Sequence, residues 1–229
     1  MKKILAFNIE TAADEDKRAL VPEPELKFGN IKDPAKIQKK KDDARAKQLA
    51  KLALDPFFGR IISVGFAHIK DGDVKCGVFT LGGKFNDEKS LIEHAWSILD
   101  RADQIVTFNG YGFDMPYMRT RSQLCGLPGV SKFNVRSKYA TEHVTDTVHT
   151  DLMLAMQNIC GNQNPTGVKR GLAFYAQQFL GKSFPYDEVD QSTFCDIVNE
   201  NPTIVTEIND WNCRSTIELF RVASKICGE

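Results

Sequence analysis

The sequence predicts an α/β protein: a mixed sheet of about five strands with helices on both faces. Three observations carry this. Short apolar runs of strand character alternate with stretches of helical period. Their order is β, a polar insertion, β, β, α, β, α, β and then helices, which is the order of a sheet covered by helices. The 229 residues are 42% hydrophobic and 26% charged, an ordinary globular balance with enough chain for one sizeable core. One domain is expected over 1–229, with a charged insertion at about 12–55.

Residues 3–9 form an apolar run that ends in polar residues, as a buried first strand does. The insertion follows. Asp33 and Pro34 open a helix expected over 34–54, with Ile37, Leu49, Leu52 and Leu54 as its few apolar anchors. It carries Lys36, Lys39, Lys40, Lys41, Arg45, Lys47 and Lys51 against Asp42 and Asp43. Two readings stay open for it: a solvated helical face, or a basic arm along a phosphate backbone. Residues 61–67 and 74–81 are strands joined through Asp71-Gly72, a strong hairpin signal. A helix is expected over 86–101, a buried strand over 104–108 and a helix over 114–125. Residues 128–145 read as irregular, with a short strand at 147–149. Helices are expected at about 151–160, 169–180, 192–199 and 202–227.

Thirty basic residues balance thirty acidic ones, so a polycation that coats nucleic acid by bulk charge is excluded. No apolar run approaches the roughly 20 residues of a membrane span, and a cytoplasmic protein without membrane contact is expected. The six cysteines lack C-x-x-C spacing and only four histidines are present, which argues against zinc and for reduced, mostly buried thiols.

Two segments carry the candidate chemistry. In Phe7-Asn8-Ile9-Glu10-Thr11, strand alternation places Asn8 and Glu10 on one face and Ile9 on the other. In Asn109-Gly110-Tyr111-Gly112-Phe113-Asp114, a strand ends, a glycine-containing turn follows and Asp114 opens a helix. Carboxylates delivered from strand ends into one cleft suit hard divalent cations. The ordinary alternative for Asp114, and for Asp151, is a helix N-cap.

Taken together, the motifs resemble the DEDD superfamily of 3′–5′ exonucleases, nearest to the predicted exonucleases related to the proofreading domain of family B DNA polymerases. The family's first motif is usually D-I-E-T, and residues 8–11 match it except that Asn8 replaces the aspartate. Its N-G-x-x-F-D motif is met by Asn109, Gly110, Phe113 and Asp114. Residues 56–67 resemble its proline-led second strand, residues 149–153 its H-x-D-L stretch, and residues 171–182 its L-G segment. The third motif, Y-x-x-x-D, departs: Asn212 stands at the aspartate and Ile208 at the tyrosine. A rival alignment places Trp211 and Ser215 there instead.

The resemblance implies a ribonuclease-H-like fold, two Mg²⁺ or Mn²⁺ ions and two-metal phosphodiester hydrolysis at single-stranded DNA or frayed 3′ ends. It implies catalytic positions at Asn8, Glu10, Asp114 and Asn212, with Glu10 and Asp114 as the metal-ligating carboxylates. Nucleic-acid contacts are expected from Thr11, Asn109, Tyr111, Phe113 and Lys138, and replication or recombination proteins as partners. Tyr111 and Phe113 have core packing as the alternative to base stacking, and His143 and His149 have it as the alternative to a general-base role. Asparagine at two ligand positions removes two negative charges, so weak or absent hydrolysis is expected unless Asp146, Asp151, Glu207 or Asp210 substitutes. Three readings remain: asparagines introduced to trap a nucleic-acid complex, a natural non-catalytic single-strand binder, or a structural protein that merely shares the ribonuclease-H-like fold.

Overall fold

A computed structural model of the protein describes residues 2–128, 148–161, 164–186 and 201–228. The expected helix at 192–199, and Lys138, His143 and Asp146, lie outside the described residues.

Five strands form one sheet: β1 (Ile4–Ala13), β2 (Gly59–Lys70), β3 (Asp73–Thr80), β4 (Gln104–Thr107) and β5 (His149–Asp151), in the order β3-β2-β1-β4-β5. β1, β2 and β3 pair antiparallel, and β4 and β5 extend the sheet in parallel. The β2–β3 hairpin turns at Asp71 and Gly72, both at positive φ (54° and 88°), as a two-residue primed turn requires. The helices are α1 (Pro34–Leu49), α2 (Glu88–Leu99), α3 (Asp114–Leu124), α4 (Leu152–Cys160), α5 (Leu172–Leu180) and α6 (Pro202–Ile226).

Alternation along β1 splits the core in two. Phe7 and Ile9 pack with Leu91, Trp96, Met115 and Met118 of α2 and α3. Ala6 faces the other way, with Val106, Leu152, Met156, Cys213, Ile217 and Phe220 against α4 and α6. Each fully buried Leu, Ile or Phe contributes about 1.5–3 kcal/mol by leaving water. Helix α6 reaches the sheet closely because β2 carries Gly65. A Cβ there would fall against the side-chain oxygen of Asn209 and within 2.6 Å of Cys213 Sγ.

Several boundaries differ from expectation. β1 continues four residues past Ile9, because Glu10 to Ala13 keep pairing with β2 across an irregularity between Glu10 and Thr11 that skips Ile62. The insertion helix stops at Leu49, and Leu52–Leu54 form a separate 3₁₀ turn with Leu52 and Ala53 buried. The fifth strand lies at His149–Asp151 rather than 147–149, because its pairing partners are Ile105 to Thr107. Helix α5 begins at Leu172 rather than 169, after the extended residue Gly171. The five described cysteines carry free thiols.

Candidate active site

The site gathers where β1 passes the end of β4. Asn8 and Glu10 share the face of β1 that meets α6. Asn8 Nδ2 donates to Glu10 Oε1 at 2.9 Å and to Asn209 Oδ1 at 3.2 Å. Asn212, one turn further along α6, donates from Nδ2 to the same Glu10 oxygen at 3.0 Å. One carboxylate oxygen thus receives two side-chain amides, from the first and third motif positions.

Asp114 arrives from the opposite side. It is the first residue of α3, buried at 2% exposure, and Phe113 rather than Asp114 occupies the N-cap position. Its Oδ1 accepts the backbone N–H of Ile9 at 2.9 Å, which ties the second motif to the first. That bond explains the burial: the carboxyl is a bridge between elements, and the ordinary capping role falls away.

The turn that delivers Asp114 is held by Asp151. Its two oxygens accept the N–H groups of Asn109 (2.9 Å) and Tyr111 (3.0 Å), and it also caps α4 by accepting from Met153 N–H (3.0 Å). Asn109 takes a left-handed φ of 65°, which asparagine tolerates better than most residues. Gly110 lies directly over Thr107, where a Cβ would overlap the Thr107 side chain.

Electrostatics set these carboxyls apart. Withdrawal from water pushes Glu10 up to about 7, against the lowering effect of the Asn8 and Asn212 hydrogen bonds. Burial likewise pushes Asp114 up to about 7, with the Glu10 and Asp151 charges adding to it and the Ile9 N–H opposing. Burial depresses His149 to about 3, so it is neutral at ordinary pH. Its Nε2 lies 2.9 Å from Thr107 Oγ1 and its ring 4.3 Å from that of Tyr111, contacts that pack it into the core.

Other expected residues take structural places. Thr11, expected to contact nucleic acid, is buried beside the Tyr117 hydroxyl, where its side chain packs against α3. The Tyr111 hydroxyl donates to the His149 carbonyl at 2.8 Å, and the Phe113 ring packs 5.3 Å from that of Tyr117. Ile208, expected at the tyrosine position in one of the two alignments, is buried with Ala12, Ile62 and Val205. The substitute acids are engaged elsewhere: Asp151 with the turn, Glu207 with the Tyr186 hydroxyl and Asp210 with Arg214 at 2.6 Å.

One site residue escapes the motif reading. Asn209, fully buried, accepts from Asn8 and donates to Ser63 Oγ at 2.9 Å. The available signal is its phase: with Val205 and Cys213 it marks the inward face of α6, where a polar residue needs a partner.

The described residues do not fit two divalent cations. Among the described residues no three His, Cys, Asp or Glu side chains are gathered to hold a metal. Glu10 and Asp114 bring about −2 against the +4 of two ions, and both asparagines turn an N–H, not an oxygen, toward Glu10.

A mixed five-stranded sheet covered by helices, with Glu10 within β1 and Asp114 at the start of α3, defines an α/β protein of ribonuclease-H-like architecture. Residues 54–165 match the family model described as the predicted 3′–5′ exonuclease related to the exonuclease domain of PolB. Just under half of the chain is thus similar to that predicted exonuclease family. Its fold is similar to the solved family B DNA polymerase of the hyperthermophilic archaeon Pyrobaculum calidifontis, at a TM-score of 0.58 and 18% identity. The likeness covers 100% of this chain and 27% of that one, so the chain spans about a quarter of the polymerase's length. No curated protein matches the chain. Among the described residues no helix is long and apolar enough to cross a membrane.

Proposed function

We propose that the chain receives single-stranded DNA, or a frayed 3′ end, in the cleft at Glu10 and Asp114, and hydrolyses it weakly or not at all. The relation to the exonuclease domain of DNA polymerases supports DNA as the ligand. The observation that carries the rest is the pair of amides on Glu10 Oε1. In the family's chemistry, paired dications held by four carboxylates stabilise the attacking and leaving oxygens. Here amide N–H groups occupy the carboxylate oxygen that would face a cation, and the cleft is nearly neutral. Such a cleft still offers hydrogen-bond donors and acceptors to a terminal sugar and phosphate. It offers little to a developing charge on the leaving oxygen.

A labelled single-strand degradation assay with Mg²⁺ or Mn²⁺ tests this on the native chain, Asn8→Asp, Asn212→Asp and the double variant. Little digestion is expected from the native chain and from either single variant, and slow digestion from the double variant. Robust digestion by the native chain would overturn the reading. Full recovery in Asn8→Asp alone would favour an enzyme altered at one position.

A further inference from the structure

The insertion between β1 and β2 contains a helix that the fold does not use. Helix α1 is sixteen residues long and has no buried residue. A helix that is polar all round gains little from the core, so its stability comes from local ties. Here those ties are explicit. Asp33 caps the N-terminus by accepting from Ala35 N–H at 3.0 Å, with Pro34 in the first turn. Arg45 Nη1 donates to the carbonyls of Val21 (3.1 Å) and Pro22 (3.0 Å), and Gln48 Nε2 to Pro22 O (3.0 Å). Lys40 Nζ reaches the Lys27 carbonyl at 2.8 Å and, with Lys41, lies by the Phe28 ring.

These ties use one side of the helix and leave other lysines free. Lys32, Lys36, Lys39, Lys47 and Lys51 are exposed, and none of their ammonium groups has an ion-pair or hydrogen-bond partner among the described residues. Over residues 27–51 nine basic side chains face three acidic ones, a local +6 in a chain of zero net charge. Both roots of the insertion meet where Asp14 N–H donates to Phe58 O at 2.9 Å, a few residues beyond Glu10 on β1. The positive arm is therefore anchored at the end of the sheet that carries the cleft.

We infer that α1 and its flanks are a phosphate-binding arm, which holds the sugar-phosphate backbone of the nucleic acid whose 3′ end enters the cleft. The inference rests on the reading of the cleft proposed above. From Lys36 to Lys47 the helix rises about 16 Å, several nucleotides at about 3.4 Å per nucleotide of stacked strand. A helix tied down by Arg45 and Gln48 presents its lysines without ordering at the moment of binding, which limits the entropic cost. Lysine at these sites acts as a point charge on phosphate and carries no base preference.

The test is fluorescence anisotropy with a fluorescein-labelled single-stranded oligonucleotide over a range of salt concentrations. It compares the native chain with a variant carrying Lys32→Gln, Lys36→Gln, Lys39→Gln, Lys47→Gln and Lys51→Gln, and with one carrying arginine at the same five positions. Each phosphate that no longer meets a positive charge should flatten the slope of log affinity against log salt by about 0.7. The glutamine variant should lose up to about 3.5 of slope and at least tenfold in affinity at low salt, and the arginine variant should keep both. Circular dichroism should report the same helix content in all three. Native binding with an unchanged slope in the glutamine variant would overturn the arm alone, leaving it to solvent or to a protein partner. No binding by the native chain would overturn both the arm and the cleft reading.

Discussion

Two acidic centres in this molecule are built on opposite plans. Glu88, at the start of α2, receives Arg121 Nε at 2.9 Å and Nη2 at 2.5 Å, and also the Ile61 N–H at 2.7 Å. Arg121 completes its fork on the Pro56 carbonyl at 3.0 Å. Asp114 is buried and Glu10 partly so, yet the groups that reach them are amides and a backbone N–H. The first centre is a satisfied ion pair that ties α2 and α3 to the start of β2. The second keeps acid groups without a cationic side chain among the described residues, and burial raises their pKa values to about 7. Stability alone favours the first arrangement. Perturbed carboxyls of the second kind are a common feature of functional sites, which is consistent with the cleft reading proposed above.

The largest effect should come from breaking the structural centre. Arg121→Ala leaves Glu88 buried without a counter-charge and should cost about 3–5 kcal/mol, read from urea unfolding. A loss below about 1 kcal/mol would mean that water reaches Glu88 and that the two centres differ less than their geometry implies.

Removing an acid from the cleft should act with the opposite sign. Glu10→Gln keeps an oxygen for both amides and removes the charge, so a gain of about 1 kcal/mol is expected near pH 8, seen as a higher melting temperature. The pH profile follows from the same shifts. Glu10 and Asp114 bind protons more tightly folded than unfolded, so their contribution is fully present below about pH 4. It is lost as the pH rises through about 7. His149, depressed to about 3, acts oppositely, and its contribution is lost as the pH falls below its ordinary value of 6.5. A variant carrying Glu10→Gln and Asp114→Asn should flatten the decline between pH 4 and 7. An unchanged profile would place the titration elsewhere.

The smallest effect sharpens the contrast further. Asn8→Asp sets a second carboxylate within hydrogen-bond distance of Glu10, and the like charges should lower the melting temperature by a few degrees in chelator. Added Mn²⁺ should reverse that loss, and reverse it more fully when Asn212→Asp is also present. A melting temperature indifferent to metal in the double variant would deny that these four positions form one cation cage.

Much of this was legible in the residues. The Asp71-Gly72 turn, the alternation that pairs Asn8 with Glu10, the helix opening at Asp114 and the polar insertion are local matters. They follow from φ preferences and from periods of 2 and 3.6 residues. The resemblance of residues 8–11 and 109–114 to an exonuclease pattern was visible for the same reason: a strand end or a turn demands particular residue types in a row. Roles that depend on what lies opposite were not legible. Thr11 is buried beside Tyr117, because the irregular pairing after Glu10 keeps β1 in the sheet. Asp151 reads as cap or ligand and is both cap and brace, because β5 brings it beneath the Asn109 turn.

By itself the sequence determined the kinds of element, their order and the charge arithmetic of the cleft, since each depends on composition and short-range stereochemistry. Tertiary structure decided which polar atoms meet. Asn209 and Asn212 lie some two hundred residues from Asn8 and Glu10 in sequence, and only the docking of α6 over Gly65 brings their amides into hydrogen-bond distance. Hydrogen bonds and burial depend on distances of a few ångströms between segments, and no local pattern in a chain encodes those.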